Sequence, residues 1–219
     1  MNDIHHHQKL TLRQQSIISM AAFAAQGELP RLDAALQEGL DAGFTVSECR
    51  EVLVQSYAYA GFPRSLNALG ELMKVLDERK QRGIQDDPGR QASPLPSGYD
   101  ALVVGTANQT RLAGGPVKGA VLDFAPAIDQ FLKTHLFGDI FARDNLDWIS
   151  RELATVGMLS AMAGVESQLQ AHMRISMNVG LTVEQLHQLC QVLADRVDAD
   201  AARRAREALE RQLAAASGR

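Results

Sequence analysis

Cysteine is scarce in this 219-residue chain: only Cys49 and Cys190 are present, far apart in sequence. Two isolated thiols exclude a disulfide scaffold and lack the close spacing of a metal site, so a reducing cytoplasm is the expected compartment. Positive charge is not in excess either. The formal net charge is −4 and the pI about 5.9, so no basic field exists to attract nucleic acid or an anionic membrane. No stretch approaches the roughly 18–20 apolar residues of a membrane span, and Met1-Asn2-Asp3-Ile4 opens no apolar run, so neither a membrane partner nor a signal peptide is expected. Alternating Val/Ile/Thr/Tyr stretches between turn residues are missing, which leaves an all-α chain. His5, His6 and His7 cluster at the N-terminal end and are given no metal-binding role.

What is present is a 46% hydrophobic composition, enough for a sizeable core, and a series of helix signals. Thr11-Leu12-Arg13-Gln14, Thr45-Val46-Ser47-Glu48 and Thr182-Val183-Glu184-Gln185 read as capping boxes. They predict helices from Thr11 to about Gln26, from Thr45 toward Tyr59, and after Thr182. Pro30 starts a helix that Gly43 ends, and Pro63 starts one running to about Arg82. Residues 83 to 119 are punctuated by Gly and Pro and read as a linker that crosses the surface of both halves. Helices then follow from Pro126 to Phe137, from a cap at Asp144 to about Ala163, from Glu166 to Asn178, and from Asp198 to about Ala214.

An internal repeat organises these elements. An offset of 180 − 43 = 137 pairs Gly43 with Gly180, Gly27 with Gly164, Leu32 with Leu169, Ala34 with Ala171, Thr45 with Thr182 and Val46 with Val183, without a gap. The expected organisation is a first domain over 1–84, a linker over 85–120 and a second domain over 121–219. The copies have diverged. Glu152 and His172 lie opposite Gln15 and Ala35, so an ionisable pair occurs in the second copy alone. The aromatic turn from Tyr57 to Asn67 occurs in the first copy alone.

Tyr59-Ala60-Gly61-Phe62-Pro63-Arg64-Ser65-Leu66-Asn67 resembles a characteristic turn of the carboxymuconolactone decarboxylase family, whose relatives include the alkylhydroperoxidases. The run from Phe131 to Asp147 is similar to tandem members. Arg151-Glu152-Leu153-Ala154-Thr155 and Gln168-Leu169-Gln170-Ala171-His172 extend the likeness over nearly the whole chain. The resemblance implies two diverged copies of an alkylhydroperoxidase-like helical domain, assembled as a pseudo-hexameric homotrimer. It also implies two candidate chemistries. The peroxidase branch uses a Cys-x-x-Cys pair ahead of a histidine, with a glutamate assisting. Here the histidine matches His172 and the glutamate Glu152, but Val165 and Gln168 occupy the cysteine positions, so that mechanism lacks its thiols.

The decarboxylase branch needs no metal or organic cofactor and acts on a carboxylated lactone. Loss of CO2 leaves an electron-rich carbon that must be stabilised and protonated, which a histidine oriented by a carboxylate can do. His172 and Glu152 are the candidate catalytic residues. Arg64 and Arg151 are candidates for holding a substrate carboxylate through paired hydrogen bonds, and Tyr57, Tyr59 and Phe62 for lining the pocket. Each has a plain alternative: His172 as a satisfied core histidine, Glu152 and Arg151 as members of a structural ion network, Arg64 as a packed helix-start residue, the aromatics as core. Cys49 and Cys190 lie opposite Leu186 and Leu53 in the repeat, which makes both buried core thiols. The readings for function are a cofactor-independent lyase on a small carboxylate, a peroxidase-like activity through Cys49 or Cys190, and a non-catalytic binding or assembly protein. The last would be favoured by an apolar site with His172 far from Glu152.

Overall fold

The computed structural model describes residues 9–217; the His5–His7 cluster lies outside them. The helices of the first copy are α1 (Leu12–Gln26), α2 (Leu29–Asp41), α3 (Val46–Gln55), the single turn α4 (Tyr57–Ala60) and α5 (Phe62–Gln81). Those of the second are α9 (Trp148–Ala161), α10 (Glu166–Asn178), α11 (Val183–Arg196) and α12 (Ala199–Ser217). Adding 137 superposes α2 on α10 residue for residue and starts α11 and α12 where α3 and α5 start. The three threonines cap as their boxes require, each accepting the backbone N–H three residues on: Gln14, Glu48 and Gln185. The paired glycines at the turns share positive φ: 76° and 83° at Gly27 and Gly164, 92° and 112° at Gly43 and Gly180. That conformation is open to glycine and strained for other residues.

The copies meet through α1 and α9. Beyond its polar first turn, helix α1 is covered on every side, and Ser16 through Ala25 are all buried, the behaviour of a central helix. On α9 everything from Ser150 to Ser160 is buried. The two cross at Gly157, where an added Cβ would stand 2.7 Å from the Ile18 carbonyl oxygen, so only glycine admits this approach. One continuous core takes in leucines and alanines of both copies, including Leu32, Leu36, Leu53, Leu153, Leu169 and Leu193.

Three features differ from the sequence expectation. First, the linker contains a helix, α6 (Ala101–Ala113), whose N-terminus is capped by the Asp100 carboxylate. Its Gly105 conceals it in sequence. That glycine is there because a Cβ would run into the Lys133 carbonyl, and Gly138 meets Ala101 in the same way. Second, the helix expected from Pro126 to Phe137 is two elements after the short α7 (Ala120–Phe124): α8 (Pro126–Phe131), then a π-helix (Leu132–Ile140). Its wider winding shows in the Phe141 N–H, which donates to the Leu136 carbonyl five residues back. Third, Asp147 rather than Asp144 caps α9, accepting the Ser150 N–H at 2.9 Å. Asp144 instead accepts the Ser93 N–H and hydroxyl at 2.8 and 2.7 Å.

That contact fastens the linker to the second copy. On the first copy, the Val46 and Ser47 N–H groups donate to the Asp87 and Pro88 carbonyls, which satisfies donors that a helix start leaves free. The linker thus touches both halves. α6 and the π-helix build a second small core with Leu112, Leu136, Phe137, Ile140, Phe141 and Ile175, against which Tyr57 and Tyr59 pack.

Candidate functional site

Glu152 and His172 meet. Glu152 projects from the middle of the buried α9 and is itself fully buried. His172, on α10, is 8% exposed. The His172 Nδ1 lies 2.8 Å from Glu152 Oε2. A carboxylate can only accept, so Nδ1 carries the proton and Nε2 is the atom left to act on a ligand. Tyr59 closes the group from the other copy: its ring stands edge-on to the His172 ring at 5.8 Å, 78° between planes. Burial raises the Tyr59 phenol above its ordinary value, and the charge of Glu152 raises it further, so Tyr59 stays a protonated donor.

Two buried polar atoms of this cluster have no hydrogen-bond partner among the described residues: Glu152 Oε1 and the Tyr59 hydroxyl. Thr155 is a polar neighbour of the Tyr59 hydroxyl; its own hydroxyl accepts from Gln55 at 2.8 Å and donates to the Arg151 carbonyl at 2.9 Å, which leaves one lone pair open toward Tyr59. Buried polar groups are rarely left unpaired, and an unpaired carboxylate oxygen such as Glu152 Oε1 calls for a water, an ion or a ligand group to meet it. The pseudo-equivalent positions, with the copies exchanged, hold no such group. Gln15 donates to the Leu10 carbonyl at 2.9 Å, Ala35 is apolar, and Arg196, opposite Tyr59, pairs with Glu38 at 3.2 Å.

The other sequence candidates lie elsewhere. Arg151 is fully buried and engaged: Nη2 pairs with Glu51 at 2.9 Å and donates to the Arg143 carbonyl at 2.9 Å, while Nη1 donates to Gln55 at 3.0 Å. Those bonds tie the copies together and engage both terminal nitrogens, while the buried Nε has no partner among the described residues. Glu51 also accepts from Arg143 at 2.7 Å and Asn145 at 3.0 Å. Sequence reasoning missed Glu51, although Ser47, Glu51 and Gln55 recur every fourth residue along α3, a polar stripe on a buried helix face.

Arg64 is exposed, lies against Gly27, and lines a cavity with Met162 just past the end of α9. Glu152 sits ten residues before Met162, about 15 Å along the helix at ~1.5 Å per residue, so Arg64 is not part of the His172 cluster within one chain. Tyr57 and Phe62 stack on one another at 4.4 Å and face a groove beside the π-helix. The aromatic turn is therefore divided, Tyr59 going to His172 and its neighbours to the groove.

Val165 and Gln168 stand at the start of α10, partly buried and exposed respectively. The two real thiols are in the core, 0% and 2% exposed. Burial is the main influence on both, pushing Cys49 up to about 12 and Cys190 up to about 11. Neither offers a thiolate near neutral pH. We expect no reaction of native protein with a disulfide-exchange chromophore over minutes, and two thiols per chain once denaturant is added. Rapid labelling of the native protein would restore a peroxidase-like reading.

The chain is a tandem, all-helical protein in which, among the described residues, the second copy holds a buried histidine–carboxylate pair that the first lacks. A model of the carboxymuconolactone decarboxylase family matches residues 1–73 and 126–211, which covers most of the chain. The chain belongs to that family. No curated protein matches it in sequence. No helix among the described residues is long and apolar enough to cross a membrane.

Proposed function

We propose that this protein is a cofactor-independent lyase that removes CO2 from a small carboxylated, lactone-like compound. The observation that supports this reading best is the 2.8 Å contact of His172 Nδ1 with a fully buried Glu152, beside a protonated Tyr59. Decarboxylation breaks the bond between the carboxylate carbon and the ring. The electron pair passes into the conjugated carbonyl and CO2 leaves. The resulting enolate takes a proton on carbon from Nε2 of the doubly protonated His172, which leaves the neutral Nδ1–H imidazole to be reprotonated at Nε2 from solvent. Glu152 holds the imidazole in the tautomer and orientation this needs and stabilises its charged form. The Tyr59 hydroxyl, a neutral donor, suits the oxygen on which enolate charge develops.

This reading is tested by CO2 release from γ-carboxymuconolactone. Catalysed release by the pure protein is the expected result. No release above the uncatalysed rate would remove this substrate from the reading.

An oligomer, expected to be a homotrimer of pseudo-hexameric form, is part of the same proposal. Its support is an asymmetry between equivalent helices. Leu66 and Met73 on α5 are 63% and 68% exposed, whereas α12 carries Arg203 and Glu210 at the matching positions. An apolar outer face on one copy and a charged one on the other suit a covered and an open surface. Leu66→Glu with Met73→Glu is expected to lower the mass in sedimentation to that of one chain. An unchanged mass would show that α5 is not the contact.

A further inference from the structure

The groove beside the π-helix holds a second histidine–carboxylate pair. His135 and Asp139 are four residues apart on that helix, with Nδ1 2.6 Å from Asp139 Oδ2. On a polar helix such a pair would be ordinary surface decoration. Here it lines a concavity of about 680 Å³ whose other walls are chiefly apolar: Tyr57, Phe62, Ile128 and Phe131. The Tyr57 ring stacks on Phe62 at 16° between planes and tilts toward the His135 ring, 5.6 Å away. Phe62 and Phe131 are more than 60% exposed. A volume of this size, aromatic walls and a few convergent polar atoms describe a small-molecule site, and π-helical turns recur where ligands are handled.

We propose that this groove is a second ligand site, for a single-ring aromatic compound carrying a hydroxyl group. The aromatic faces of Tyr57, Phe62 and Phe131 would take the ring by offset or edge contacts. The polar end fixes the class of substituent. Asp139 engages Nδ1, which leaves Nε2 free, an acceptor in the neutral ring and a donor in the protonated one. A phenolic hydroxyl donates and accepts, so it suits either form. An aromatic carboxylate only accepts, so it suits one form alone, and it would meet the Asp139 charge with no lysine or arginine among the described residues lining the groove. The proposal stands apart from the reading of His172.

The test is titration of phenol, toluene and benzoate into the intact protein, followed by calorimetry and by the aromatic and imidazole resonances. Toluene keeps the shape of phenol and lacks the donor. The expected result is one phenol per chain, with the His135 and Tyr57 signals moving, and both toluene and benzoate binding more weakly. His135→Leu should weaken phenol about tenfold, the worth of one hydrogen bond, and leave toluene unchanged. Phe131→Ala should weaken both. The proposal is overturned if phenol does not saturate, if benzoate binds as well as phenol, or if His135→Leu leaves phenol affinity intact. It is equally overturned if the moving signals belong to His172 and Tyr59, or if a second copy covers the groove so that phenol cannot enter.

Discussion

Glu51→Leu is expected to destabilise the protein by about 3–5 kcal/mol, because it strands the buried charge of Arg151. Arg151 is 0% exposed and Glu51 2%, so water cannot replace the lost carboxylate. The remaining partners, Gln55 and the Arg143 carbonyl, are dipoles rather than charges. Denaturant unfolding of Glu51→Leu, Arg151→Leu and the double variant separates the contributions. The double variant should recover much of the loss, since two leucines bury without a stranded ion. Losses that simply add would mean that the pair is not coupled.

The same carboxylate gives a pH dependence. Burial pushes Glu51 upward, but the bonds and charges of Arg143, Arg151 and Asn145 outweigh it, and its carboxyl ends below the ordinary 4.5. A depressed folded-state value means stabilisation that is fully present above about 4.5 and is lost as pH falls through the lower folded value. Acid unfolding of the wild type should therefore steepen below that point. Glu51→Leu should lack that component, and wild-type and Glu51→Leu proteins losing stability in parallel would contradict it.

Legibility in the sequence followed locality. The repeat was readable because its marks are local: Thr11, Thr45 and Thr182 cap within three residues, and Gly27, Gly43, Gly164 and Gly180 occupy turns that need positive φ. Helix α6 was not, because Gly105 answers to a helix packed across it and weakens the local pattern. Asp144 reads as the cap of α9 in sequence, but its carboxylate is bonded to Ser93, fifty-one residues away, and Asp147 caps the helix instead. The π-helix has no signature in composition. At the site, Glu152 and His172 could be named from the family resemblance of residues 151–155 and 168–172 and from the divergence of the copies. Their contact, the arrival of Tyr59 from the other copy, and the diversion of Arg151 into the Glu51 network depend on how the copies pack.

Loss of the His172 imidazole is expected to lower turnover about 10²–10⁴-fold, the usual contribution of a positioned acid or base. Glu152→Gln should cost less. The imidazole stays, but a neutral amide neither fixes the Nδ1 proton nor stabilises the imidazolium. Tyr59→Phe should also lower kcat while leaving the helical signal and oligomer unchanged, because it removes only a hydroxyl and keeps the ring that packs edge-on to His172. The decisive measurement is CO2 release from γ-carboxymuconolactone by wild type and His172→Ala at matched oligomeric state. Turnover by the wild type that collapses in His172→Ala is the expected result; equal turnover by both proteins would take His172 out of the chemistry.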